Sequence, residues 1–414
     1  MKLALLIALP VLVLVAGAAI QGCKPAAGPA PAAAPAKGPA GQWKTGPLSD
    51  PNFFPLTVWL QAPANAEKYK AIGINAYIGL WQGPTEDQLA ALKKAGMLVV
   101  CDQTEVGLKH KDDPTILGWM HGDEPDNAQS DGKGSYGPPI ATSKIIADYK
   151  KIKASDPARP VMLNLGQGVA WDGWYGRGVR TNHPEDYAEY AKGADVVSYD
   201  IYPVNGTHKD VKDKLWLVPF GVDRLTKWTE GKKPLWTALE CTAYDGKGKP
   251  TPAQVKTEVW MSLIHGAKGI IYFVHVFKPT FIEAGLLADK EMAAAVGKLN
   301  KQITELAPVL NSPTVPAAAT VKSVRGAVPT DPRATAEAPA TETPIASMVK
   351  RHGGATYIFV VAMRDAAAKA EFTVPGLPAK ATAEVLGEGR TIDVTDGKFS
   401  DDFAPYAVHL YKIK

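Results

Sequence analysis

Two acidic residues close an apolar run in "ILGWMHGDEPDN", residues 116–127, and another acid closes a second run in "PLWTALECTAY", residues 234–244. A short apolar strand that delivers Glu124 or Glu240 to its own end holds a carboxyl group on a rigid element. Two such groups facing one another suit work on a glycosidic bond. One protonates the leaving oxygen, and the other attacks or stabilises the anomeric carbon. The plainer alternative for Glu124 is a turn acid, in a segment that also holds Asp123 and Asp126. For Glu240 it is a buried ion pair at a strand end.

For the two acids to meet, their strands must belong to one closed sheet. Eight near-continuous apolar runs recur, at 55–61, 74–80, 97–102, 116–122, 160–166, 195–202, 234–240 and 269–276. Such runs are expected of parallel strands buried on both faces. Helical segments lie between most of them. Thr85 and Gln88 form a capping box ahead of Leu89 and Leu92, and Gly96 ends that helix. Pro184 opens a segment that Gly193 closes, and Thr251-Pro252 caps another with Val255, Val259 and Leu263 on one face. The connection 103–115 is short and charged. This alternation predicts an α/β fold, a (β/α)8 barrel over 49–312. A doubly wound sheet is the alternative, but no glycine-rich phosphate loop follows the first strand. Beyond 312, strands at 355–361, 369–374, 382–386 and 406–413 predict a small antiparallel β-sandwich over 313–414, with a low-complexity loop at 333–344.

The active face of such a barrel lies at the C-terminal ends of its strands. The loop after the fifth strand, "GQGVAWDGWYGRG", offers Trp171, Trp174 and Tyr175 as platforms for the apolar face of a sugar. Trp59, Trp81 and Tyr244 also fall at strand ends, where core packing and sugar contact are equally good readings. Asn164, Gln167, Asp200 and His275 can hold hydroxyl groups there, and His121 reads as a wall residue. A metal centre from His121, Asp123, Asp200 and His275 lacks any HxH or HExxH spacing, so no metal or other cofactor is expected.

Glutamates after strands four and seven of such a barrel, followed by a β-sandwich, resemble the large clan of retaining glycoside hydrolases. That clan includes cellulase-type, β-galactosidase-type and endo-β-1,3-glucanase enzymes. The resemblance covers about residues 50–414. It implies Glu124 as acid/base and Glu240 as nucleophile. It also implies a tyrosine beside the nucleophile, Tyr202 or Tyr199 in "SYDIYP". Where the clan usually has asparagine before the first glutamate, this chain has Asp123, which accepts a hydrogen bond from a sugar 2-hydroxyl but cannot donate one. The implied reaction is double displacement on a β-glycosidic bond. An inverting hydrolase, or a carbohydrate-binding protein on the same barrel, are the alternatives.

The composition of the 414 residues is that of a globular protein, 46% hydrophobic and 21% charged, with a net charge of +4. No basic cluster is interleaved with aromatics, so nucleic acid is an unsuitable partner; the resemblance implies a carbohydrate substrate, and a monomer is expected. Lys2 precedes an apolar run from Leu3 to Ile20, the layout of a secretory signal, with a membrane-spanning helix as the alternative. "AIQGCK" at 19–24 resembles a bacterial lipoprotein signal, although Gln21 is unusual for one. The resemblance implies a signal peptide over 1–22 and a lipid on Cys23. The Pro/Ala/Gly-rich stretch over 23–48 reads as a tether. The expected location is the bacterial cell envelope, lipid-anchored, periplasmic or at the cell surface. Cys101 and Cys241 read as two buried free thiols, with a single disulfide left open.

Overall fold

The computed structural model describes residues 46–246, 248–325 and 343–414. The signal peptide, Cys23, the tether up to residue 45 and most of the 333–344 loop lie outside the described residues. Among the described residues, no helix is long and apolar enough to cross a membrane.

Strand and helix alternate as expected. β1 (Leu56–Trp59) leads to α1 (Ala66–Ala71), β2 (Ala76–Ile78) to α2 (Glu86–Ala95), and β3 (Leu98–Cys101) to the short α3 (Glu105–Lys109). β4 (Ile116–Met120) precedes α4 (Thr142–Ser155), and β5 (Val161–Leu165) precedes α5 (Asp186–Tyr190). β6 (Val196–Asp200) precedes α6 (Leu217–Trp228), β7 (Leu235–Glu240) precedes α7 (Pro252–Ile264), and β8 (Gly269–Phe273) completes the set. The strands pair in parallel, and β8 returns to β1 with Thr57 opposite Ile271, closing the barrel. Three helices then lead out of it, α8 (Gly285–Ala288), α9 (Lys290–Glu305) and α10 (Ala307–Leu310).

Each strand buries both faces. Ile78, Val100, Met120, Met162, Trp236 and Ile271 pack inside the barrel. Leu163, Val197 and Leu239 pack outward against the helices. Two-sided burial is why the runs are continuous in sequence and do not alternate. The helix signals act as read. The Thr85 hydroxyl accepts from the Gln88 amide at 3.2 Å, the Gln88 side chain accepts from the Thr85 amide at 2.9 Å, and Gly96 adopts φ 63°. Thr251 and Gln254 form the same box on α7. Cys101 and Cys241 are free and buried.

From Thr320 onward the chain is antiparallel. β9 (Thr320–Arg325), β10 (Ile345–His352), β11 (Ala355–Ala362) and β12 (Ala368–Thr373) are followed by β13 (Lys380–Val385), β14 (Arg390–Thr395), β15 (Lys398–Phe403) and β16 (Val408–Ile413). They form one hydrogen-bonded order, β10-β11-β16-β13-β14-β15-β12-β9, around a core that includes Ile358, Phe372, Phe399 and Tyr411. Four of these strands, β9, β10, β14 and β15, are not evident from sequence. β14 and β15 bury only alternate residues, such as Val394 and Phe399, so no apolar run marks them. Their turn does carry a hairpin signal, with Asp396 at φ 49° and Gly397 at φ 72°.

A buried lysine joins the two parts. Lys350 of β10 donates to the carbonyls of Leu310 at 3.2 Å and Ser312 at 2.5 Å, just past α10. Burial pushes its amine down to about 7. Lys350→Ala is expected to destabilise the protein by about 1–3 kcal/mol, because the Ser312 carbonyl loses its donor and the Leu310 carbonyl the nearer of two, Lys268 remaining at 3.4 Å. Denaturant midpoints check this; an unchanged midpoint would show that the contact contributes nothing.

Candidate active site

A cavity of about 220 Å³ opens at the C-terminal ends of the strands. Its polar side is made by Asp123, Glu124, Asn164, Gln167 and Asp200, and its apolar side by Trp59, Trp174, Tyr202, Tyr244, Phe273 and Phe277.

β4 ends at Met120, and four residues on the chain turns sharply. Glu124 has φ 42°, a left-handed conformation rare outside glycine and frequent at functional sites. Its neighbours hold that turn. Asn127 donates its side-chain N–H to Glu124 Oε2 at 2.7 Å and its amide to the Glu124 carbonyl at 3.0 Å. Trp174 Nε1 donates to Asn127 Oδ1 at 2.8 Å, so the aromatic loop after β5 braces the acid. Beneath lies Asp126, fully buried, accepting from the Gly166 amide at 2.9 Å and the Tyr187 hydroxyl at 2.8 Å.

Asp123 accepts from Asn164 Nδ2 at 2.9 Å, and Asn164 Oδ1 in turn accepts from the Ser198 hydroxyl at 2.7 Å. Asn164 therefore orients a carboxylate. Asp200, at the end of β6, faces Glu124 and the Tyr202 hydroxyl, while its Oδ1 is buried without a donor. Three carboxyl groups thus share one desolvated place. Burial pushes Asp123 up to about 6 and Asp200 up to about 7. Burial, and then the charges of Asp200 and Asp123, raise Glu124 well above the usual carboxylate range. A carboxyl group that keeps its proton near neutral pH is what a general acid requires.

Glu240 is placed differently from the expectation. It does not line the cavity. Its carboxylate accepts from the amides of Val204 at 2.6 Å and Asn205 at 2.8 Å, and from Asn205 Nδ2 at 2.5 Å. The segment after β6 folds across the end of β7, and its N–H groups capture the acid. Burial pushes Glu240 up to about 7, while those N–H groups pull the other way.

Trp59, Trp174, Tyr202, Tyr244 and Asn164 come together at the cavity with Gln167 and Asp200. Trp171 stands back, packed on Trp174 at 5.9 Å and on His208 at 4.6 Å. Trp81 stacks on His275 and donates to Glu283 Oε1 at 2.6 Å. His275 bonds the Leu60 carbonyl at 2.9 Å, and His121 bonds the Gly193 carbonyl at 2.8 Å. Neither histidine lines the cavity, so the set His121, Asp123, Asp200 and His275 does not converge. Tyr199 points away and bonds the Val218 carbonyl. Phe273, Phe277 and Asn127 are not evident from sequence as site residues. Phe273 reads as part of a core strand and Phe277 lies just past it; Asn127 had a faint signal, three residues after Glu124 in a turn.

Gly166 makes room for the acid. A Cβ there would lie 2.9 Å from Asn127 Oδ1 and 3.0 Å from Glu124 Oε1. Its own backbone, at φ −81°, suits any residue. Gly166→Ala is therefore expected to keep the fold and lower turnover by about 10²-fold, because a misplacement of about 1 Å has effects of that size. Wild-type rates with this variant would show that the acid has slack.

A glycoside hydrolase family 42 model, described as β-galactosidase, matches residues 141–288. No curated protein matches the chain. Among solved structures, a variant of AmyP in complex with maltotriose is similar over 89% of this chain and 98% of its own, at 9% identity and a TM-score of 0.51. A proposed α-galactosidase from Bacteroides fragilis is similar over 88% of this chain and 79% of its own, at 10% identity and a TM-score of 0.51. At these identities the structural likeness is one of fold. Residues 141–288 thus match a glycoside hydrolase family model, within a closed (β/α)8 barrel.

Proposed function

We propose that this chain hydrolyses β-glycosidic bonds of an oligo- or polysaccharide outside the cytoplasm, with Glu124 as acid and then base. One observation carries the reading: Glu124 is a buried, proton-holding carboxyl on a strained turn at the end of a barrel strand, facing Asp200. The β linkage follows the description of the family matched over 141–288. The cavity is smaller than the roughly 300–1,000 Å³ of drug-sized ligand sites, so it suits a single sugar ring. Its aromatic side offers the rings on which apolar sugar faces stack.

The mechanism we read is double displacement, with Asp200 as the attacking carboxylate. Asp200 lines the cavity and has an oxygen without a donor. In the resting site its side chain faces Glu124 directly, so an entering ring must part the two. Glu240 is the second reading, favoured by its N–H donors and by its register opposite Phe273 of the cavity wall. To attack, it must leave the amides of Val204 and Asn205. A 2-deoxy-2-fluoro glycoside that traps the intermediate decides between them by the labelled peptide. Products of inverted configuration by NMR would sink both. Saccharide binding without turnover would establish the binding-protein reading.

We place the protein in a bacterial envelope as a monomer anchored through Cys23. Cys23→Ser is expected to abolish incorporation of labelled palmitate and to release the protein from the membrane fraction. Continued incorporation would refute the anchor.

A further inference from the structure

The loop between β6 and α6 supplies Tyr202 to the cavity wall. Its neck is closed by the Asp213 amide, which donates to the Pro203 carbonyl at 2.9 Å. One end of the loop is held by Glu240 through Val204 and Asn205. Behind Glu240 stands Glu258 of α7, wholly buried, with no N–H or O–H donor on either carboxyl oxygen. Burial, and then the charge of Glu240 beside it, raise the Glu258 carboxyl well above the ordinary range. A bare carboxylate buried without donors is strongly unfavourable, so Glu258 carries a proton, for which Glu240 is the neighbouring acceptor.

The other end of the loop is held from the C-terminal domain. Tyr406, between β15 and β16, donates its hydroxyl to the Asp213 carbonyl at 3.2 Å. Its own carbonyl accepts from the Thr257 hydroxyl at 2.9 Å. Tyr406 has φ 56°, so the surrounding contacts hold it in a left-handed conformation. Thr257 and Glu258 are consecutive on α7. One turn of that helix therefore anchors both ends of the same loop.

We propose that Glu258 and Thr257 are positioning residues that set the cavity wall. Glu258 acts through Glu240 on Val204 and Asn205, and Thr257 acts through Tyr406 on Asp213. The C-terminal domain thereby helps shape the site. The effect on turnover rests on the hydrolase reading; the anchoring itself does not.

Hydrogen exchange on the full chain tests this without turnover. Glu258→Ala is expected to speed exchange of the Val204 and Asn205 amides at least tenfold, with the β4 amides unchanged. Glu258→Gln restores protection, because its amide N–H replaces the lost donor. Tyr406→Phe speeds exchange at Asp213. Where turnover is measurable, Glu258→Ala lowers kcat more than it raises KM, and Gln recovers it. Unchanged exchange in Glu258→Ala, or Gln behaving like Ala, would overturn the proposal. Should the alanine variant not fold, unchanged exchange at Asp213 in Tyr406→Phe overturns it. The expected exchange pattern in a chain without glycosidase activity would sink the hydrolase reading alone.

Discussion

Glu124→Gln is expected to lower hydrolysis by about 10²–10⁴-fold while saccharide still binds, since that is the usual contribution of a positioned general acid. Glutamine keeps the shape of the side chain and its acceptor for Asn127, so the strained turn persists. What it removes is the proton for the leaving oxygen. The loss should therefore depend on the leaving group. Aryl β-glycosides whose phenol leaves without protonation should be hydrolysed much closer to the wild-type rate than alkyl glycosides. Equal losses on both substrates would show that Glu124 binds sugar and does not protonate it. The same substitution removes one of three crowded carboxyl groups, so thermal stability near neutral pH should rise as activity falls. A stabilised, inactive variant is the pattern expected where function is held against the preference of the fold.

The second large effect is a stability that falls as pH rises. Asp200 is pushed from an ordinary 3.8 up to about 7, and Asp123 up to about 6. Between the unfolded and folded values, the folded chain holds these protons and the unfolded chain does not. Their contribution is therefore complete below about pH 4 and lost as pH climbs through 6 and 7. Each carboxyl in that window lowers stability by up to about 1.4 kcal/mol per pH unit. Asp200→Asn cannot titrate, so its stability should fall less steeply over pH 4–8 than that of the wild type. Denaturant midpoints across that range give the difference. Parallel curves would mean that Asp200 titrates in the folded protein as it does in the unfolded chain, and the crowded-acid reading would fail. Turnover should show the related pH limb, declining as Glu124 loses its proton.

The eight barrel strands and the capped helices were legible in the sequence because each is a local decision. Burial on both faces writes a continuous apolar run, and a capping box such as Thr85 with Gln88 writes its own start. The position of Glu124 was legible for the same reason: it ends a strand whose place in the order is countable, and the mouth of a barrel gathers strand ends. The half-buried strands β14 and β15 were not, because alternate burial in short segments leaves almost no apolar run to count.

What the sequence could not decide is where a side chain at a strand end points. Glu240 and Asp200 both end barrel strands; the family resemblance implied Glu240 as nucleophile, and the sequence offered Asp200 only as a residue that can hold hydroxyl groups. In the tertiary structure the loop after β6 lays its amides over Glu240, while Asp200 keeps an oxygen without a donor. The same holds for Trp171, His275 and Trp81, whose partners come from elements distant in sequence. Residue type and periodicity determine which elements form and which ends they share. Only packed loops determine which carboxyl group is captured by N–H donors and which keeps an oxygen without one.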